Sequence, residues 1–116
     1  MTYRWHIFLA SLDPVVGSEQ GRTRPVLVIS DEEMNQILPV VNVLPLTARK
    51  QGRRVYPNEV LLPTGTAGLE QESIVLCYQI RTLDKMRLQR CVGAIEDVSV
   101  QAGICDALCF QLGVPL

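Results

Sequence analysis

The stretch GSEQGRTRPVLVIS, residues 17–30, joins two contrasting halves. Its second half, Pro25–Ser30, is a short apolar run rich in branched residues, which predicts a buried β-strand. Its first half places a dense group of hydrogen-bonding side chains beside two glycines: Ser18, Glu19, Gln20, Arg22, Thr23 and Arg24. A dense polar group at the start of a core strand is typical either of a polar turn or of a functional site that a rigid element holds in position, and this stretch alone leaves both open.

Length and composition limit the possible classes of protein. A chain of 116 residues is long enough for one domain, 1–116, with one core. Aromatic residues make up 5% of the chain and hydrophobic residues 47%, which predicts an aliphatic core. Because the net charge is −1, nucleic-acid binding would have to come from a local cluster. One cluster, residues 49–54, carries four positive charges on a predicted loop, where solvation and phosphate contact are equally open interpretations.

The termini and the cysteines predict a cytoplasmic protein. The apolar run near the N-terminus is interrupted by His6 and stops at Asp13, unlike a signal peptide, and no stretch has transmembrane length. The four cysteines match no zinc-ligand spacing, and His6 is the single histidine. We therefore expect buried, reduced thiols and no metal.

Turn signals divide the chain into short apolar runs. These runs predict strands at Ile7–Leu12, Pro25–Ser30, Val40–Thr47, Glu59–Leu62, Ile74–Ile80 and Cys91–Ile95, with a helical turn at Leu83–Leu88. From Asp97 the period changes, because Val100, Ile104, Leu108 and Leu112 recur every four residues. Asp97 or Ser99 can cap this helix, and Gly113 ends it. The pattern predicts a small barrel or sandwich with one C-terminal amphipathic helix.

Two blocks of the sequence resemble the MazF/PemK family of bacterial toxins. The first block is Leu12–Ser30. The second lies between Gly68 and Leu88, and its matching residues include Ser73 and the run Val75–Lys85. Pro45-Leu46-Thr47 lies between the two blocks and also matches. The resemblance implies a mainly β fold, an SH3-like barrel with a C-terminal helix. It implies the toxin of a type II toxin–antitoxin system, a homodimer with a cognate antitoxin, and no cofactor. It also implies metal-independent, sequence-specific cleavage of single-stranded RNA by 2′-OH attack, leaving 2′,3′-cyclic phosphate and 5′-OH ends.

The resemblance also assigns site residues. Arg24 and Thr47 match the family's catalytic positions, and the fork of a guanidinium suits phosphate oxygens. Pro25 holds Arg24 extended, although an arginine here could instead pair with Glu19 or Asp13. The expected substrate-binding residues are Gly17, Ser18, Glu19, Gln20, Gly21 and Gln79. We expect Glu19 to hold Arg22 or Arg24 rather than to accept a proton. The Gln79–Asp84 block and the C-terminal helix are the candidate dimer contacts, with a role of the block inside one chain equally open.

Three departures from the family leave alternatives. Many relatives carry Gly-Asp where this chain has Trp5-His6, for which a core tryptophan and a surface histidine are expected. The PemK branch places a catalytic arginine and aspartate where this chain has Leu76 and Tyr78, so we prefer the mechanism with Arg24 and Thr47. Many family toxins are also basic, unlike this chain. The alternative function is a catalytically weakened member that only binds its antitoxin. A topoisomerase poison, from a related family of the same fold, lacks support in these motifs.

Overall fold

A computed structural model describes residues 1–115, which form seven β-strands and two α-helices. The strands are β1 His6–Ser11, β2 Thr23–Val28, β3 Val40–Ala48, β4 Glu59–Leu62, β5 Ser73–Leu76, β6 Arg81–Asp84 and β7 Leu88–Ala94. The helices are α1 Glu32–Ile37 and α2 Val98–Leu112. Single 3-10 turns lie at Thr66–Gly68, Cys77–Gln79 and Lys85–Arg87.

All strand pairs are antiparallel, in the order β4-β5-β3-β2-β1-β7, and β6 also pairs with β3. The nine-residue strand β3 organises the sheet. On one edge β3 pairs with β2, and on the other edge it pairs first with β6 and then with β5. The prediction of a mainly β, barrel-like fold with a C-terminal helix is therefore confirmed.

Both faces of the central strands are buried. Successive side chains of a strand point to opposite faces, so Ile7 and Leu27 join one core cluster while Phe8 and Val28 join another. Helix α2 covers the first cluster with Ile104 and Ala107. Burial on both sides explains why β2 carries an unbroken apolar run instead of alternating polar and apolar residues.

Helix α2 has the predicted ends. The side chain of Asp97 accepts a hydrogen bond from the Ser99 amide at 2.9 Å, and Gly113 closes the helix with a φ of 67°. Ile104 is fully buried, whereas Leu112 is exposed, so the last residue of the predicted apolar stripe does not reach the core.

The predicted strand Ile74–Ile80 is wrong as a single element. Strand β5 ends at Leu76, and the turn Cys77–Gln79 separates it from β6. Both strands pair with β3, but their registers differ by three residues, which is the length of this turn. The break is therefore a change of register along β3, which local patterns do not reveal.

Three smaller expectations also change. The helical turn predicted at Leu83–Leu88 is restricted to Lys85–Arg87. The last strand begins at Leu88 rather than Cys91, and Cys91 is exposed instead of buried. Helix α1 was not predicted, although its signal is present: Asp31 caps the Met34 amide, and acidic residues occupy the first turn.

Candidate functional site

A cleft opens where strands β2 and β3 separate. Their pairing ends at Val26 and Pro45, and Arg24 and Thr47 each lie two residues beyond that pair. From there each strand keeps a different neighbour, because Arg24 pairs with Ala10 of β1 while Thr47 pairs with Ile74 of β5. The topology thus places the two predicted catalytic residues at the two diverging strand ends.

The cleft has a volume of about 430 Å³ and is lined by both apolar and polar side chains. Arg24 contributes from β2, and Leu46 and Ala48 contribute from β3, whereas Thr47 between them is not among the lining residues. The other wall includes Ser73 of the second sequence block and residues that the sequence did not single out: Glu70, Gln71, Arg90 and Val92. Arg90 belongs to no motif and reaches the cleft because β7 pairs with β1, so long-range pairing alone reveals it.

Arg24 is half-buried and is held by the backbone. Its Nε donates a hydrogen bond to the Gly21 carbonyl at 3.0 Å. Within residues 1–115 Arg24 forms no salt bridge. The alternative that Arg24 pairs with Glu19 or Asp13 is therefore wrong. A guanidinium without a carboxylate partner beside a cleft is suited to an anionic group.

The carboxylates near Arg24 serve the loop between β1 and β2 (residues 12–22), called the β1–β2 loop below. Glu19 Oε1 accepts from the Val16 amide at 2.6 Å, and Asp13 Oδ1 accepts from the Arg22 amide at 2.9 Å. The expectation that Glu19 holds Arg22 or Arg24 is therefore wrong. Both carboxylates instead cap backbone amides, which shapes the loop next to the cleft.

Gln79 joins the loop to the rest of the molecule. Its Nε2 donates to the Ser18 carbonyl at 3.0 Å, and its Oε1 accepts from the Gln20 amide at 3.3 Å. The Oε1 atom of Gln20 itself is buried without a hydrogen-bond partner. The structure therefore brings Gln79 together with the predicted loop residues, in contact with their backbone.

The two glycines of the loop meet different requirements. Gly17 has a φ of 58°, in the left-handed region that favours glycine, and lies in open space. A Cβ at Gly21 would lie 2.7 Å from Asp13 Oδ1, so a side chain there would disturb the Asp13 cap. Ser18 and Glu19, between these glycines, are exposed.

Part of the basic cluster at residues 49–54 has a structural role. Arg53 forms two hydrogen bonds with Glu59, at 3.0 and 2.8 Å, and the Glu59 side chain is 1% exposed. The hydrogen bonds from Arg53 lower the pKa of Glu59 despite its burial. Arg49 pairs with Glu72 at 3.2 Å, so two of the four charges are already paired.

The positions that depart from the PemK branch do not line the cleft. Leu76 is buried, and Tyr78 lines an apolar pocket with Tyr56 and Phe110. At the N-terminus, Trp5 is half-buried and packs against the core. His6 is also half-buried, with its Nδ1 3.0 Å from the Arg4 carbonyl oxygen.

Within residues 1–115, no three histidine, cysteine, aspartate or glutamate side chains gather as metal ligands. Cys77 is buried, which raises its pKa to about 12, and all four cysteines are free thiols. Neither helix in this part of the chain has the length and hydropathy needed to cross a membrane.

The fold and the cleft together define a small antiparallel barrel with an arginine-bearing cleft beside a glycine-bounded loop. A family model described as the PemK-like, MazF-like toxin of type II toxin–antitoxin systems matches residues 3–111. The chain therefore belongs to the PemK/MazF toxin family.

Similar proteins agree with this assignment. Endoribonuclease EndoA of Bacillus subtilis (strain 168) is 40% identical over 94 residues, covering 81% of this chain and 80% of the relative. The crystal structure of MazF from Deinococcus radiodurans superposes with a TM-score of 0.79 at 31% identity, covering 95% of this chain and 94% of that one. A mycobacterial endoribonuclease in complex with its cognate antitoxin has a TM-score of 0.80 at 23% identity, covering 100% and 99%. This last likeness concerns the fold alone.

Proposed function

We propose that this protein is the toxin of a type II toxin–antitoxin pair and a metal-independent endoribonuclease specific for a short sequence in single-stranded RNA. The observation that carries the proposal is the cleft at the diverging ends of β2 and β3, where Arg24 has no carboxylate partner. The endoribonuclease name of the 40% identical relative supports the reaction class.

The reaction we propose uses the nucleophile that RNA itself carries. The 2′-oxygen forms a bond to the adjacent phosphorus while the bond from phosphorus to the 5′-oxygen breaks. The 2′-hydroxyl loses its proton to a base, and the leaving 5′-oxygen gains one. The products are a 2′,3′-cyclic phosphate and a 5′-hydroxyl, so this step consumes no water and requires no metal ion.

The roles of the residues follow from the charges that develop. Negative charge accumulates on the non-bridging phosphate oxygens, and the free part of the Arg24 guanidinium can donate to them. Thr47 lies on the opposite strand end and outside the lining of the cleft, and the family motif is what supports its proposed role of hydrogen-bonding the same phosphate or relaying a proton. The exposed Ser18 and Glu19 and the adjacent Gln20 and Gln79 form the surface next to the cleft that would contact the bases.

The family assignment suggests the partners. We propose a homodimer that works in the cytoplasm and is inhibited by a cognate antitoxin, with single-stranded RNA as the substrate. A polar loop beside a cleft that carries Arg24 and Arg90 suits single-stranded RNA, whose bases are free to be contacted on their edges.

The test is cleavage of a long defined RNA in the presence of EDTA, followed by analysis of the ends. We expect cuts at one short sequence, with 2′,3′-cyclic phosphate and 5′-hydroxyl ends. An RNA with a single deoxyribose before the cut should resist cleavage, because the nucleophile is missing. Loss of activity in EDTA, or cleavage of the deoxyribose substrate, would contradict the mechanism.

The same assay decides the alternative function. A member that only binds its antitoxin would leave the RNA intact at every concentration of protein, while still forming a complex with the antitoxin. The net charge of −1 and the tyrosine at position 78, where the PemK branch has a catalytic residue, motivate this alternative.

A further inference from the structure

Three consecutive carbonyl groups at the start of the β1–β2 loop are held by two arginines from a distant part of the chain. Arg87 Nη1 donates to the Ser11 carbonyl at 3.3 Å and to the Asp13 carbonyl at 2.9 Å. Arg81 Nη1 donates to the Leu12 carbonyl, between them, at 3.0 Å. Hydrogen bonds from a charged donor are stronger than neutral ones, so these contacts constrain the backbone where the loop leaves β1.

The sheet explains why arginines are needed at this place. Strand β7 begins at Leu88, which pairs with Ala10, so β1 has no β7 partner beyond Ala10. Ser11 and Asp13 are two residues apart and therefore present their carbonyls on the same edge. Arg87 directly precedes Leu88 and supplies donors to that edge in place of a strand.

The contacts extend along the whole loop. At its base, the Leu12 amide donates to the Arg22 carbonyl at 2.8 Å. Near its tip, Gln79 holds the backbone of Ser18 and Gln20. At its end, the Gly21 carbonyl accepts from Arg24, so the loop also sets the position of the proposed catalytic arginine.

We propose that Arg81 and Arg87 are positioning residues, which fix the β1–β2 loop and through it both base selection and the placement of Arg24. The proposal rests on the proposed function for its role in the reaction. It assigns a purpose, within one chain, to residues 79–88 of the second sequence block. Neither arginine needs to touch RNA, because both guanidinium groups bind the backbone of the same protein.

The test compares Arg81→Met and Arg87→Met with Lys85→Met. Lys85 is a matched control, because it lies in the same segment and carries the same charge, but its ammonium faces the Tyr3 ring at 4.9 Å. Hydrogen–deuterium exchange of residues 14–22 is measured first, without RNA. We expect exchange about tenfold faster or more in both arginine variants, as follows from losing a charge-assisted hydrogen bond, with β2 and β3 unchanged.

The second readout is the ratio of kcat/KM for the preferred RNA to that for an RNA with one altered base. We expect this ratio to fall in the arginine variants and to stay at the wild-type value in Lys85→Met. The proposal would be overturned if the arginine variants had the same rate of hydrogen exchange in the loop, or the same base selectivity, as Lys85→Met. If a methionine variant fails to fold, Arg87→Lys is measured in its place. A lysine keeps one charged donor, so hydrogen exchange in the loop should lie between that of the wild type and the increase of about tenfold expected for a methionine variant.

The two readouts separate the failure of this inference from the failure of the proposed function. Loop exchange needs no substrate and therefore tests the constraint even if the protein does not cleave RNA. Wild-type cleavage with unchanged exchange in the variants would contradict the positioning role alone.

Discussion

At the scale of single residues, the orientation of Arg24 depends on the backbone rather than on a carboxylate. Its Nε is bound to the Gly21 carbonyl, while Glu19 and Asp13 cap amides of the β1–β2 loop. A hydrogen bond to a carbonyl fixes the guanidinium without neutralising it. The positive charge therefore remains available to a phosphate, and this makes Arg24 the residue at which substitution is most informative.

The first prediction concerns that charge. Arg24→Ala removes a donor aimed at the phosphate and should lower kcat by about 10²–10³-fold, while the fold is retained. Arg24→Lys should not restore activity, because a point charge cannot reproduce the planar fork or its bond to Gly21. Single-turnover cleavage of a short RNA measures both effects. Wild-type rates in a folded Arg24→Ala variant would show that the cleft has been assigned to the wrong chemistry.

A second prediction tests the opposite strand end. Thr47→Ala should slow cleavage, and Thr47→Ser, which keeps the hydroxyl, should retain part of the activity. Thr47→Val keeps the branched shape at this β position but not the hydroxyl, and it serves as the steric control. If Thr47→Val cleaves as fast as Thr47→Ser, the hydroxyl has no role in the reaction.

At the scale of elements, the Arg53–Glu59 pair joins the 49–54 loop to β4. Glu59 is nearly inaccessible to solvent, and its pKa is lowered by the hydrogen bonds from Arg53. Because the pKa of Glu59 in the folded protein lies below the unfolded value of 4.5, the ionised carboxylate stabilises the fold at pH values above 4.5. This stability is lost as the pH falls below 4.5 and through the pKa of the folded state. The wild-type pair should therefore weaken on acidification.

Removing the arginine reverses that dependence. Arg53→Met leaves a buried carboxylate without its cation and should destabilise the protein at pH 7 by about 3 kcal/mol. Burial then raises the pKa of Glu59, so acidification towards pH 4.5 should relieve the loss. The control is Arg53→Met combined with Glu59→Gln, which removes the unpaired charge. Urea unfolding across this pH range should show the two variants converging at low pH, and a constant difference would argue against a buried charge.

The elements also show which features of the fold a sequence can predict. Helix α2 was predicted closely because its signals, Asp97 and Gly113, are local. The turn Cys77–Gln79 was not, because it arises from a change in register against β3, a strand far away in the chain. Of the residues that line the cleft, Arg24 stands in a motif, whereas Arg90 depends on the pairing of β7 with β1. The roles of Thr47 and Gln79 stay predictions.

At the scale of the whole molecule, the surface beside strand β6 carries exposed apolar side chains. Strand β6 pairs with β3 along one edge. The Lys85 amide binds the Pro39 carbonyl at 2.9 Å, which brings the end of α1 close to the turn after β6. Ile37, Leu38 and Met86 are exposed there, and Met86 is 92% accessible. Adjacent apolar side chains beside a strand edge favour a second copy of the chain as their partner.

The last prediction is that this surface contributes to a homodimer. Light scattering at micromolar concentration should give about 26 kDa, twice the 12.9 kDa of one chain. Because a two-fold interface contains the same residue from both copies, Met86→Glu places two new charges in it and should shift the protein towards the monomer. Val98→Glu is the matched control, since Val98 is also exposed but lies at the start of α2. A dimer unaffected by Met86→Glu but broken by Val98→Glu would move the interface to the C-terminal helix, and a wild-type monomer would exclude both surfaces.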